Sequence, residues 1–371
     1  MLEKSTGMCY YVYSGTFPKN EKRQVFAMAV FTADNKAFRY MGRTDHSDPK
    51  APLIIYAGSN IKFNFGGTSL KITVENIPMS DTMWIGALID GVQRKIPLAK
   101  EPAVQTITLA EGLENTVHTC VIFKRQAAAH YFRFISAEAD DIMPADVKYD
   151  MKLEFFGDSV SAGECCEAVY HERLCDPGNH LGRYDNSYFS YTWSCARKLN
   201  AEFNNNSQGG LALLDHTGYF YGPDIETLTG LESTYDKLSY VPYAPVGVSE
   251  WDFSRYTPDF VIFAIGQNDA NPNPDAVFDR EYTEKWKARY KEILLDLKKR
   301  YGTARFIIIT TLLKHEMKWE YILDELCAEL ADPAVTRLRF KRAGLATDGH
   351  PRITEQEEMA LELTDYIRSI M

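Results

Sequence analysis

The feature that most constrains this chain is a change of hydrophobic period near residue 140. Before it, apolar and polar residues alternate: Ile61, Phe63 and Phe65 against Lys62 and Asn64, then Leu70, Ile72 and Val74 against Lys71 and Thr73. Val117, Thr119, Val121 and Phe123 continue the period of two, and Tyr131 to Ile135 reads as a further strand. Successive side chains of a strand point to opposite faces, so the pattern describes sheets with one buried and one wet face. Gly66-Gly67 and Asp90-Gly91 supply turns between the strands. Many short strands at close spacing predict an all-β sandwich of jelly-roll type over residues 1–140.

Beyond residue 150 the apolar runs become almost unbroken: Leu153 to Phe156, Phe260 to Ile265, Phe306 to Thr311. Such runs suit strands buried on both faces of a parallel sheet. Between them Tyr282, Trp286, Tyr290, Ile293, Leu294 and Leu297 fall at helical spacing, and a last helix, roughly Thr354 to Ser369, carries Met359, Leu363 and Ile367 every fourth residue. Alternating strand and helix predicts an α/β domain over residues 150–371, with the boundary inside 137–149. Two domains also suit 371 residues, since single cores tend to stop growing at roughly 250–300.

Composition narrows the function. The chain carries 41 basic and 51 acidic residues, a net charge of −10, with no basic block, so nucleic acid is not an expected partner. The apolar runs fall short of the ~20 residues a membrane span needs, so no membrane partner is expected. Met1 to Gly7 lack the apolar core of a secretory signal, and seven scattered cysteines (Cys9, Cys120, Cys165, Cys166, Cys175, Cys195, Cys327) do not read as a disulfide framework. Together these predict a cytoplasmic protein. They do not specify its oligomeric state.

Three segments carry chemistry. Gly157-Asp158-Ser159 follows a predicted strand, where α/β folds place their active sites and where backbone N–H groups can face a developing anion. Gly266-Gln267-Asn268-Asp269 follows another buried strand, and an asparagine there can aim an N–H at the same anion. Thr347-Asp348-Gly349-His350-Pro351 leads into the last helix and offers a histidine as base. Each is common alone; the three in this order at strand ends of one domain are a strong joint signal. Asp158 and Asp269 read as structural hydrogen-bonding residues. His171 to Cys175 with Cys165-Cys166 fits no zinc spacing cleanly, and His315 to Trp319 lacks a metalloprotease's second histidine, so no metal site is predicted. Trp319, Trp251 and Tyr219 are candidates for stacking on a sugar, with core packing the plainer alternative. Trp84 reads as a sandwich interior residue.

With those residues stated, residues 150–371 resemble the SGNH (GDSL-type) hydrolases. Ser159 matches the nucleophile block, Asn268 the Gly-x-Asn-Asp block and His350 the histidine block. The oxyanion glycine falls at Gly209 or Gly210 in Asn206-Ser207-Gln208-Gly209-Gly210, with Gly209 favoured. The β-rich half, including Gly42-Arg43-Thr44-Asp45 and Phe65-Gly66-Gly67-Thr68-Ser69-Leu70, is similar to the jelly roll of carbohydrate esterase family two. The resemblance implies a flavodoxin-like catalytic domain and a carbohydrate O-acetylesterase acting on acetylated mannan or xylan oligosaccharides through an acyl-serine. It implies no metal or organic cofactor. Its site would comprise Ser159 as nucleophile, His350 as base, and an oxyanion hole of Ser159, Gly209 and Asn268. The SGNH pattern has an aspartate three residues before the histidine. Here Thr347 stands there, and Asp348 or a backbone carbonyl is left to orient His350. Rival functions are an SGNH esterase on small or lipid esters and a carbohydrate-binding protein with a vestigial hydrolase domain.

Overall fold

The computed structural model describes residues 28–78, 83–128, 130–220, 225–240 and 247–371; Met1 to Gly7, Cys9 and Tyr221 lie outside them. The first domain is two antiparallel sheets of six strands each. One runs Thr44–Asp45, Leu53–Ile54, Tyr131–Ala139, Leu70–Ile77, Ala103–Ala110, with Ala29–Thr32 also on Tyr131–Ala139. The other runs Asp141–Met143, Asn60–Gly67, Thr116–Lys124, Trp84–Ile89, Val92–Pro97, with Arg39–Met41 also on Asn60–Gly67. Ile61, Phe63 and Phe65 face inward as their alternation requires and meet Ile72, Val74 and Phe134 in one apolar core, but on Thr116–Lys124 the expected face is the wrong one: Val117 and Thr119 are exposed, and Cys120 and Ile122 fill the core instead.

The chain then enters a five-stranded parallel sheet: β1 (Met151–Gly157), β2 (Ala201–Asn205), β3 (Phe260–Ala264), β4 (Arg305–Ile309) and β5 (Val335–Arg337). Its order is β2-β1-β3-β4-β5, the flavodoxin-like arrangement. Helices α1 (Ser159–Ala162), α2 (Tyr191–Lys198), α3 (Arg280–Tyr301), α4 (Lys318–Leu330) and α5 (Ile353–Ile370) complete the layers. The sheet has a core on each side, and β3 shows why its sequence is an unbroken apolar run. Val261 and Phe263 pack with α3 and α4 residues such as Trp286 and Leu323. Ile262 and Ala264 pack with α2 and α5 residues such as Tyr191 and Leu363. Among the described residues no helix is long and apolar enough to cross a membrane.

The domains are joined by a buried charge cluster. Arg43 of the sandwich reaches Glu154 of β1 at 3.1 Å, both side chains fully buried. The arginine also donates to the carbonyls of Tyr235 and Lys237, at 2.9 and 3.0 Å. Glu154 further accepts from Asn206 Nδ2 and from the Tyr301 hydroxyl. Such a cluster is expensive to desolvate and is stable only when its donors and acceptors are matched this fully.

Candidate active site

Strand order reverses between β1 and β3, which opens a crevice at their C-terminal ends. Asp158 follows β1 and caps α1, its Oδ1 accepting from the Val160 N–H at 3.0 Å. That cap places Ser159 at the first position of α1, the position whose N–H has no partner within the helix. Gly157 is needed just before it: a Cβ there would stand 2.2 Å from Ser161 Oγ. Gln267 and Asn268 both donate to Asp158 Oδ2, and Gln267 Oε1 accepts from the Thr311 N–H at 2.9 Å. Asp158 therefore ties the Ser159 turn to the ends of β3 and β4. Burial raises its carboxyl to about 6. Asp269, raised to about 6 by the same cause, accepts from Trp286 Nε1 at 2.6 Å and the Leu213 N–H at 2.9 Å. Both aspartates hold the scaffold.

A cavity of about 560 Å³ lies over this crevice, lined by Ser159, Gly209, Gly210, Asn268 and His350 together. The four sequence blocks thus converge on one space. A Cβ added to Gly209 would lie 3.9 Å from the Ser159 Cβ, whereas one on Gly210, at φ +76°, would press on Tyr219 and the Phe220 nitrogen. Gly209 is therefore the glycine beside the serine. Among the described residues neither the Ser159 nor the Gly209 N–H donates to a protein acceptor. Asn268 differs: its Nδ2 donates to Asp158 at 2.8 Å and to the Leu211 carbonyl at 3.0 Å. Both amide hydrogens are engaged, so a substrate oxygen can take one only in a shared bond.

His350 is oriented by a residue that the motifs did not indicate. Its Nδ1 lies 2.6 Å from Asp176 Oδ2, and its backbone N–H donates to Asp176 Oδ1 at 3.1 Å. Asp348 does not serve here, which corrects the expectation from the histidine block: its side chain is 63% exposed and its nearest cation is Lys314, at 4.0 Å. The backbone turns at Gly349, sending the Asp348 carboxylate to solvent. Gly349 also makes room for Asp176, whose Oδ1 would be 2.3 Å from a Cβ at that position. Arg352, its side chain 1% exposed, clamps the arrangement. It donates to Asp176 Oδ1 at 2.6 Å, to the His350 carbonyl at 2.8 Å and to the carbonyls of Cys165, His171 and Leu174. Although burial raises Asp176, the His350 and Arg352 hydrogen bonds hold it well below the usual carboxylate range. Burial would lower His350, but the charge of Glu164 and the hydrogen bond and charge of Asp176 lift it to about 9.

The sandwich reaches the same cavity through Gln126, Ala127 and His130, on the connection that follows Thr116–Lys124. Buried Lys124 holds that connection by donating to the Gln126 and Ala127 carbonyls. Ser187 of the α/β part closes the joint, donating through its hydroxyl to the Lys124 carbonyl at 2.6 Å. Burial and the Lys124 charge lower His130 to about 3, so it is neutral. Trp84 is half-buried rather than interior. It lines a neighbouring pocket that shares His180 and Leu181 with the main cavity.

Of the aromatic candidates, Tyr219 lines the cavity and is 62% exposed. Trp319 and Trp251 do not line it, so the sugar-stacking candidacy fails for both and the core reading holds. Trp319 begins α4 fully buried, its ring 5.1 Å from that of Trp286. Trp251 is buried beneath Arg43 and Arg255, whose guanidinium carbons lie 5.1 and 4.7 Å from its ring centre. Among the described residues no group of three or more His, Cys, Asp or Glu side chains is placed to hold a metal ion.

Residues 40–145 match the carbohydrate esterase 2 N-terminal family. The chain is 28% identical over 356 residues to the cellulase/esterase CelE of Acetivibrio thermocellus, covering 91% of this chain and 40% of that protein. It is 25% identical over 355 residues to an acetylxylan esterase/glucomannan deacetylase of Cellvibrio japonicus, covering 92% of this chain and 91% of the relative. A solved family two carbohydrate esterase from Clostridium thermocellum, in complex with cellohexaose, superposes with a TM-score of 0.74 at 26% identity, over 90% of this chain and 98% of that one.

Proposed function

We propose that this chain, which is related along both domains to the family two carbohydrate esterases, is a carbohydrate O-acetylesterase working through an acyl-serine. The observation that carries the reading is the convergence of Ser159, Gly209, Asn268 and an Asp176-bound His350 on one cavity. A serine hydroxyl becomes an effective nucleophile only if a base takes its proton during attack. Asp176 accepts a hydrogen bond from the Nδ1–H of His350, which keeps the proton on Nδ1 and leaves Nε2 with the lone pair. As Ser159 Oγ bonds to the acetyl carbon, its proton passes to Nε2, and the carbonyl oxygen gains charge. The free N–H groups of Ser159 and Gly209 receive that oxygen, with Asn268 sharing a hydrogen. Collapse expels the sugar oxygen, which takes the proton from His350. Water, deprotonated by His350, then attacks the acetyl-serine to release acetate.

Acetylated mannan and xylan oligosaccharides are the proposed substrates, by analogy with the Cellvibrio acetylxylan esterase/glucomannan deacetylase and the sugar ligand of the Clostridium structure. The test is acetate release from both, with product positions assigned by NMR, for the wild-type chain and for Ser159→Ala. Turnover by the wild type and none by the variant is expected. Undiminished turnover by Ser159→Ala refutes the scheme.

A further inference from the structure

One acidic side chain in the cavity takes no part in the steps above. Glu164 follows α1, and its N–H donates to the Ser159 carbonyl at 2.9 Å, so its backbone is fixed to the nucleophile turn. Its carboxylate lies over the oxyanion glycine: Oε2 would be 2.7 Å from a Cβ on Gly209, the same Cβ that would stand 3.9 Å from Ser159 Cβ. The other acids of the cavity are engaged. Asp176 holds His350 and Arg352, and Asp185 accepts from the Cys165 N–H at 2.9 Å. Among the described residues the Glu164 carboxylate has neither a hydrogen-bond nor an ion-pair partner, and it lines the cavity wall half-buried.

For oxyanion formation this placement is adverse, although the same charge raises the basicity of His350. Negative charge beside the oxyanion glycine opposes the charge that develops on the acetyl oxygen. It also sits near the buried Asp185, which burial and the Glu164 charge raise to about 6. The arrangement gains a purpose once the alcohol portion of the ester is considered. An acetylated sugar carries free hydroxyls on carbons next to the acetylated one, and a carboxylate accepts from one or two of them. Simple alkyl or aryl acetates offer no such donor.

We propose that Glu164 is a specificity-determining residue that accepts a hydrogen bond from a free sugar hydroxyl neighbouring the acetylated position, and so selects polyol esters over simple ones. The proposal deepens, and rests on, the acetylesterase reading. Kinetics of Glu164→Ala and Glu164→Gln test it, each measured at the plateau of its own pH profile so that the fraction of neutral His350 is the same, with the two substrates compared so that altered His350 basicity affects both alike. On an acetylated mannan oligosaccharide, Glu164→Ala should lower kcat/KM about 10- to 100-fold, the usual worth of a hydrogen bond to a charged group. The loss should appear chiefly in KM, and Glu164→Gln, which keeps one acceptor, should recover part of it. On 4-nitrophenyl acetate both variants should lose much less than on the oligosaccharide. Equal losses on the two substrates, or no loss on the oligosaccharide, overturn the proposal alone. A wild-type chain that cleaves 4-nitrophenyl acetate but no acetylated sugar overturns the substrate class and this proposal together.

Discussion

Replacing Asp176 with Asn separates the two aspartates competing for the same role. Asp176 Oδ1 receives the shorter bonds of two donors, the His350 N–H at 3.1 Å and Arg352 Nη1 at 2.6 Å, while Oδ2 lies 2.6 Å from His350 Nδ1 and takes only a longer bond, 3.4 Å, from the same N–H. An asparagine keeps its oxygen where two donors converge, and that turns its NH₂ toward Nδ1. Nδ1 must then accept, so the imidazole carries its proton on Nε2 and cannot take one from Ser159. The protease case of a triad aspartate changed to asparagine loses about 10⁴ in kcat with geometry intact. A loss of roughly 10³–10⁴, or about 4–5.5 kcal/mol at 1.36 kcal/mol per tenfold, is expected for Asp176→Asn. Because His350 loses its counter-charge, its titration should also move down from about 9. Asp348→Asn, at a carboxylate 63% exposed, should stay within about twofold of the wild type. The assay is steady-state acetate release across pH, with circular dichroism to establish that both variants fold. A folded Asp176→Asn enzyme of near wild-type rate beside a crippled Asp348→Asn enzyme would refute the reasoning.

The same geometry fixes further outcomes. In the free enzyme His350 must be neutral to act, so with its value near 9, kcat/KM on an acetyl ester should climb roughly tenfold per pH unit and level off near pH 9. Since that folded value exceeds the unfolded one near 6.5, the stabilisation it provides is complete below about 6.5 and declines as pH rises toward 9; thermal unfolding against pH measures it. Trp319→Ala should cost about 3–5 kcal/mol in denaturant unfolding with little change in KM, as fits a core residue, while Tyr219→Ala should raise KM for an oligosaccharide and leave stability almost untouched.

Much of this architecture is legible in the sequence because it follows from local periodicity. Alternation at Ile61, Phe63 and Phe65 identifies a one-face-buried strand before any partner is known, and the unbroken run at Phe260 to Ile265 demands apolar cover on both sides. Ser159, Asn268 and His350 are equally visible, since each needs a particular residue beside a strand end or helix start. Two aromatic candidates were decided by neighbours that local sequence does not name. Trp319 turns inward because α4 starts one residue before it and Trp286 waits across the interface, and Trp251 is covered by Arg43 from the other domain. The partner of His350 was decided in the same way. A histidine can accept orientation from any carboxylate that reaches its Nδ1, and Asp176 lies 174 residues away in the chain. What brings it there is a glycine with no side chain in the way at 349 and a buried Arg352 that binds both the carboxylate and the loop carrying it. Periodicity records which face a residue must bury; a hydrogen bond between distant loops leaves no period behind, and only the folded chain brings its two ends together.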